Sequence, residues 1–97
     1  MGFETRTRTA STSGAVTVGN TTTSVLASNP DRKSATFVND SDEAIYLQLG
    51  ANAVLNEGIR LNAAGGSYTI DHNNLFTGAV NAICSSGSKN LVVTETP

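Results

Sequence analysis

The residues with the means to do chemistry are few. His72 is the one histidine, flanked by Asp71, Asn73 and Asn74. An acid–base pair needs a carboxylate that orients the imidazole, and a nucleophile beside it. Asp71 and His72 are neighbours in sequence, so on a strand they point to opposite faces, and neither Ser67 nor Ser85 sits in a nucleophile turn. No catalytic residue is assigned, and His72 is read as a turn histidine. Oxygen-rich clusters occur at Asn39, Asp40, Asp42 and Glu43, and again at Asp71, Asn73 and Asn74. Such loops hold calcium where the ligand spacing is right. Here the spacing of a calcium-binding loop is incomplete, and Asx residues serve turns for backbone reasons. One histidine and one cysteine are too few for zinc. Phosphate loops are missing as well, since Gly65-Gly66 and Gly87 lack the lysine and the following helix. The sequence therefore predicts no metal and no cofactor.

Cys84 shares a strand face with Val80 and Ala82, which predicts a small buried side chain rather than a reactive thiol. Being single, it forms no intramolecular disulfide. Tyr46 and Tyr68 are read as packing residues, with a sugar-binding surface as the alternative. Arg32 is expected to be structural, covering an end of the fold or pairing with Asp31 or Glu43.

The elements that must position these residues are strands. In 97 residues there are 13 Thr, 10 Ser, 10 Asn and 9 Gly, but only 14% charged residues. That mixture suits strands and tight turns and is poor in the residues that cover exposed helices. No run approaches the length needed to span a bilayer as a helix. Net charge is −2, so no basic field holds a nucleic-acid backbone. The opening residues, MGFETRTRTASTSG, lack the apolar core of a secretory signal, and the expectation is folding in a reducing cytoplasm. Val, Ile, Leu, Phe, Tyr and Met total 25. A core of that size gives modest stability, and association with other subunits is the way left to bury more.

Period-two apolar patterns mark the strands. Ile45, Leu47 and Leu49 fall on one face with Tyr46 and Gln48 on the other, and Ile59 and Leu61 point inward. Residues 34–39 and 44–50 are expected to form a hairpin across Asp40–Glu43, and Val80–Cys84 a closing hairpin with Leu91–Glu95. Asn29-Pro30-Asp31 is a strong turn signal. Ala10–Gly14 reads as a small-residue linker, Val16–Val18 as a short strand, and 51–58 as a loop or single helical turn. Seven or eight short strands at about 8–12-residue spacing predict an all-β chain, a small antiparallel sandwich or barrel. Residues 1–24 are expected to be an extended N-terminal arm containing a first strand, and 25–97 the β-sandwich domain.

One longer pattern runs through the chain. It comprises Asn29-Pro30-x-Arg32-Lys33-Ser34-Ala35-Thr36-Phe37-Val38-Asn39, then Ala44-Ile45-Tyr46-Leu47-x-Leu49-Gly50. Gly58-Ile59-x-Leu61 before Ala64-Gly65-Gly66 follows, and Val80-x-Ala82-Ile83 precedes Leu91-Val92-Val93-Thr94-Glu95. This order resembles the small β-sandwich virion proteins of tailed bacteriophages over about residues 25–96. The resemblance implies a jelly-roll-like sandwich, a homo-oligomer with a trimer favoured, and no enzyme. It implies a capsid decoration (cement) or head-fibre protein that binds the major capsid protein or other virion proteins on the capsid surface. Assembly would take place in the host bacterial cytoplasm, without nucleic acid or membrane as a partner. Arg6 and Arg8 are then the candidate partner contacts. A tail, neck or fibre component acting as adaptor or receptor binder is the alternative, and a small carbohydrate-binding module a further one.

Overall fold

A computed structural model describes residues 11–97, and among them every regular element is a β-strand. The strands are β1 (Thr12–Val18), β2 (Thr23–Leu26), β3 (Ser34–Asn39), β4 (Ile45–Leu49), β5 (Ile59–Leu61), β6 (Ser67–Ile70), β7 (Val80–Cys84) and β8 (Lys89–Thr96). They form two four-stranded antiparallel sheets, ordered β1-β8-β3-β6 and β2-β7-β4-β5. First pairs with last, second with seventh, third with sixth and fourth with fifth. The chain is thus one long ladder rolled up, and β3·β8 and β4·β7 close the roll. This is the eight-stranded jelly roll, and the all-β sandwich expected from strand spacing is what the chain adopts.

Alternation builds the core. Ala35 and Phe37 from β3, Leu91 and Val93 from β8, Ile45 and Leu47 from β4, and Val80, Ala82 and Cys84 from β7 face one another between the sheets. Burying each large aliphatic or aromatic side chain is worth roughly 1.5–3 kcal/mol before the entropy of ordering it.

Both expected hairpins are corrected. β3 and β4 lie in different sheets, as do β7 and β8. The short polar links at 40–44 and 85–88 cross between layers instead of folding a strand back on its neighbour. The small-residue linker is also corrected from Thr12 onward. Thr12, Ser13 and Gly14 are strand, paired to Glu95, Thr94 and Val93. They bury little themselves and are ordered by the backbone ladder of β8.

The one sequential pair within a sheet is β4–β5, joined by residues 50–58. This connection contains no helical turn. It folds over the outer face of its sheet, where Ala53 N–H donates to Thr22 Oγ1 (2.9 Å), Asn81 Nδ2 to the Ala51 carbonyl (2.7 Å) and Tyr46 Oη to Asn56 Oδ1 (3.0 Å). Ala53 and Ile83 are buried outside the main core. Gly58 closes the loop at φ +81°, and a Cβ there would stand 2.3 Å from the Leu47 carbonyl oxygen. Gly58→Ala is therefore expected to cost about 2–3 kcal/mol, combining backbone strain with a clash that backbone cannot yield to. Gly65→Ala, at φ +112° but in open space, should cost about 1 kcal/mol. Urea denaturation of the two variants measures the difference.

Candidate functional site

The connections gather at the two ends of the roll, and each end is tied by one buried polar side chain. Arg32 and Asn39 are the two wholly buried polar residues among those described.

Arg32 owes its position to the turn before it. Asn29-Pro30-Asp31-Arg32 is a β-turn, closed by Arg32 N–H to the Asn29 carbonyl (3.0 Å) and braced by Asp31 N–H to Asn29 Oδ1 (3.0 Å). The chain then enters β3 with the guanidinium aimed inward. Its Nε donates to Glu95 Oε2 (2.7 Å), and Nη1 to the Phe76 and Gly78 carbonyls (2.8 and 2.9 Å). Nη2 donates to the Ala27 carbonyl (2.5 Å). One side chain thus joins the β2–β3 link, the β6–β7 link and the last strand. Asn29 Nδ2 adds a longer bond to the same Glu95 oxygen, 3.3 Å. The expected partners Asp31 and Glu43 are not used: Asp31 is exposed, and Glu43 stands with the loops of the other end.

Asn39 does the equivalent work there. Its Nδ2 donates to the Glu43 and Leu61 carbonyls (2.7 and 2.9 Å), and its Oδ1 accepts from Ser41 Oγ (2.6 Å). Its own N–H and carbonyl pair with Gly66 and Gly65. The acidic loop that raised the question of calcium is thus engaged in turn contacts. Glu43 accepts from Ser86 N–H (2.7 Å) and Ser86 Oγ (2.9 Å), and Asp42 pairs with Lys89 at 2.7 Å. No group of three metal-ligating side chains occurs among the described residues.

These contacts set a pH dependence. The hydrogen bond and charge of Lys89 hold the Asp42 carboxyl below its usual range. Donation from the Ser86 backbone does the same for Glu43. A carboxylate with a lowered folded-state pKa adds stability above its unfolded pKa and loses it as pH falls through the folded value. The urea midpoint is expected to decline from about pH 5 downward. Glu43→Gln should flatten part of that decline. Both carboxylates are solvated, so the slope is shallow.

The remaining candidates are dispersed. His72 is exposed in a turn where Asp71 accepts from Asn73 N–H and Asn74 from Asp71 N–H. Cys84 is buried, its Sγ 3.3 Å from the Val18 carbonyl, and burial pushes its pKa up, keeping it a thiol. Tyr46 is on β4, with Arg60 5.9 Å from its ring centre. Tyr68 lies in the other sheet opposite Phe37 and packs on the core. The two tyrosines form no common surface. Arg6 and Arg8 lie outside the described residues.

What the fold leaves open is a seam. β1 and β2 are edge strands of different sheets, and between them runs a groove of about 180 Å³ lined by Thr12–Val16, Val25, Leu26, Val93 and Glu95. It shares Val25, Leu26 and Glu95 with a wider cleft of about 450 Å³ formed by Ser24–Asn29. The floor is apolar, the rim is strand backbone with no partner among the described residues, and Glu95 stands at the Arg32 end. Such a groove takes an extended segment: main-chain bonds to an edge, and alternate side chains in the trough. Sequence reasoning missed it, because the signal is an edge position and not a residue type.

Comparison of the chain with family models, with curated proteins and with solved structures finds no match.

Proposed function

We propose that this chain is a non-enzymatic structural protein of a tailed-bacteriophage particle, a decoration protein that binds the assembled capsid and stabilises it. The observation that carries the reading is the unguarded β1 edge above the apolar seam. Sheet edges are ordinarily blunted by brevity, bulges, charge or proline. Three edges here follow that rule: β5 and β6 have 3 and 4 residues, and β2 has 4 with a register shift. β1 presents 7 residues, TSGAVTV, without a charge or a proline. Among the described residues nothing pairs with this edge, which suits a surface used in assembly.

Two further features support it. The sequence pattern across residues 25–96 resembles that of small β-sandwich virion proteins of tailed bacteriophages. The two buried polar ties give a disulfide-free small sandwich rigid ends, which suits a part that holds neighbouring capsomers by many weak contacts. The test is addition of the purified chain to capsids assembled without it. Co-sedimentation that saturates, together with a raised melting temperature of the shell, is the expected result. Shells that neither bind the chain nor gain stability would overturn the reading.

A further inference from the structure

We propose that Arg60, Tyr46, Asn56 and Asn62 form a binding site for the carboxylate of an acidic saccharide, on the outer face of the β2-β7-β4-β5 sheet. The inference does not rest on the virion reading, since it concerns this face of the chain alone.

Strand register assembles the site. Tyr46 of β4 stands directly opposite Arg60 of β5. Ile45 and Leu47 enter the core, so Tyr46 and its cross-strand partner face outward. Asn62 follows the last residue of β5. Asn56 lies in the 50–58 connection at φ +64°, a left-handed conformation that asparagine adopts more readily than most residues.

Neutral partners hold the guanidinium in place. Its Nε donates to Asn62 Oδ1 (2.9 Å) and its Nη1 to Tyr46 Oη (3.4 Å). The guanidinium carbon stands 5.9 Å from the centre of the Tyr46 ring, within the range of a cation–π contact. Tyr46 Oη in turn donates to Asn56 Oδ1 (3.0 Å). Among the described residues the ion pairs are Arg32–Glu95 and Lys89–Asp42, and Arg60 is in neither. A cation that only guards a sheet edge needs no such fixing. Held by uncharged groups, Arg60 keeps its whole charge for a ligand.

What the cluster turns outward is donors. The Asn62 and Asn56 carbonyl oxygens and the Tyr46 hydroxyl are each engaged inside it. Nη2, the second N–H of Nη1 and the amide nitrogens of Asn56 and Asn62 remain, on side chains that are exposed. Donors gathered round one positive charge suit an anion. A planar guanidinium fork matches a carboxylate with two parallel bonds, and one cation suits a singly charged group. The flanking amides are then placed to take hydroxyls beside that carboxylate, which a sugar acid carries. An extended peptide fits less well, because β5 has 3 residues and offers few main-chain bonds along its edge.

The test titrates the chain with a galacturonic acid tetramer, with its neutral methyl ester and with a tetraglutamate peptide, followed by amide chemical shifts. The acid tetramer is expected to bind saturably, with the shifts centred on Tyr46, Arg60 and Asn62, and the ester should bind about tenfold or more weakly. Arg60→Gln should weaken the acid tetramer by a similar factor, and Tyr46→Phe and Asn56→Gly by less. All three changes are near the surface, and glycine accepts the left-handed φ of position 56. An unchanged urea midpoint for Arg60→Gln separates lost binding from lost folding. No saturable binding of the acid tetramer would overturn the proposal, as would equal binding of the ester or binding that Arg60→Gln leaves intact. Tetraglutamate that binds at Arg60 more tightly than the acid tetramer would overturn it too, by making the ligand a peptide.

Discussion

Arg32→Met is expected to lose about 3–5 kcal/mol of stability, because it leaves Glu95 without its cation and strips the Ala27, Phe76 and Gly78 carbonyls of their donor. Domains of this size hold about 5–15 kcal/mol in all. At roughly 4–8 °C per kcal/mol, the melting temperature should fall by at least about 12 °C. The loss is large because Arg32 is wholly buried and its bonds reach three separate stretches of chain. Arg32→Lys should recover less than half, since one ammonium cannot reproduce a planar fork with acceptors on both sides. Glu95→Gln should cost less, about 1–2 kcal/mol, because the Glu95 side chain is 19% exposed and water can take its place. Lys33→Met, an exposed neighbour, is the control. An Arg32→Met variant as stable as that control would remove the basis for this end of the fold.

Asn39→Leu is the counterpart at the other end, with an expected cost of about 2–4 kcal/mol. Leucine matches the shape but leaves the Glu43 and Leu61 carbonyls without the amide that now satisfies them. Asn39→Asp is more discriminating. It would set a carboxylate against those same two carbonyls, and protonation restores one donor. That variant should therefore regain stability relative to the wild type as pH falls, opposite to the acid decline expected from Asp42 and Glu43. Thermal melts at neutral and acid pH read both effects.

The fold class was legible because period-two patterns such as Ile45-Tyr46-Leu47 report strands locally. The layer assignment was not. A four- or five-residue polar link is the right length both for a hairpin and for a crossing between sheets, and nothing in Asp40–Ala44 distinguishes the two. Which occurs is decided by β8 seating between β1 and β3, a pairing of residues more than fifty positions apart. The partner of Arg32 was hidden for the same reason. An arginine after Asn-Pro-Asp signals the end of a turn, but its partner is Glu95, 63 positions along the chain. Gly14 misled because glycine is a poor strand residue in isolation. In β1 the ladder to β8 supplies the order, and the missing side chain is part of what makes the seam. Phe76 carries no signal of its own in the sequence. Its ring stands against Gly50 and Gly78 and its carbonyl accepts from Arg32, a set of contacts that only the assembled end of the roll defines.

The central claim, a structural protein that coats a phage shell, is tested most directly by counting. The measurement is the number of copies of this chain per purified particle, by quantitative mass spectrometry against the major capsid subunit. Hundreds of copies, in fixed proportion to the capsid subunit, are the expected result. A handful per particle would move the protein to the tail or neck, and absence from the particle would contradict the account.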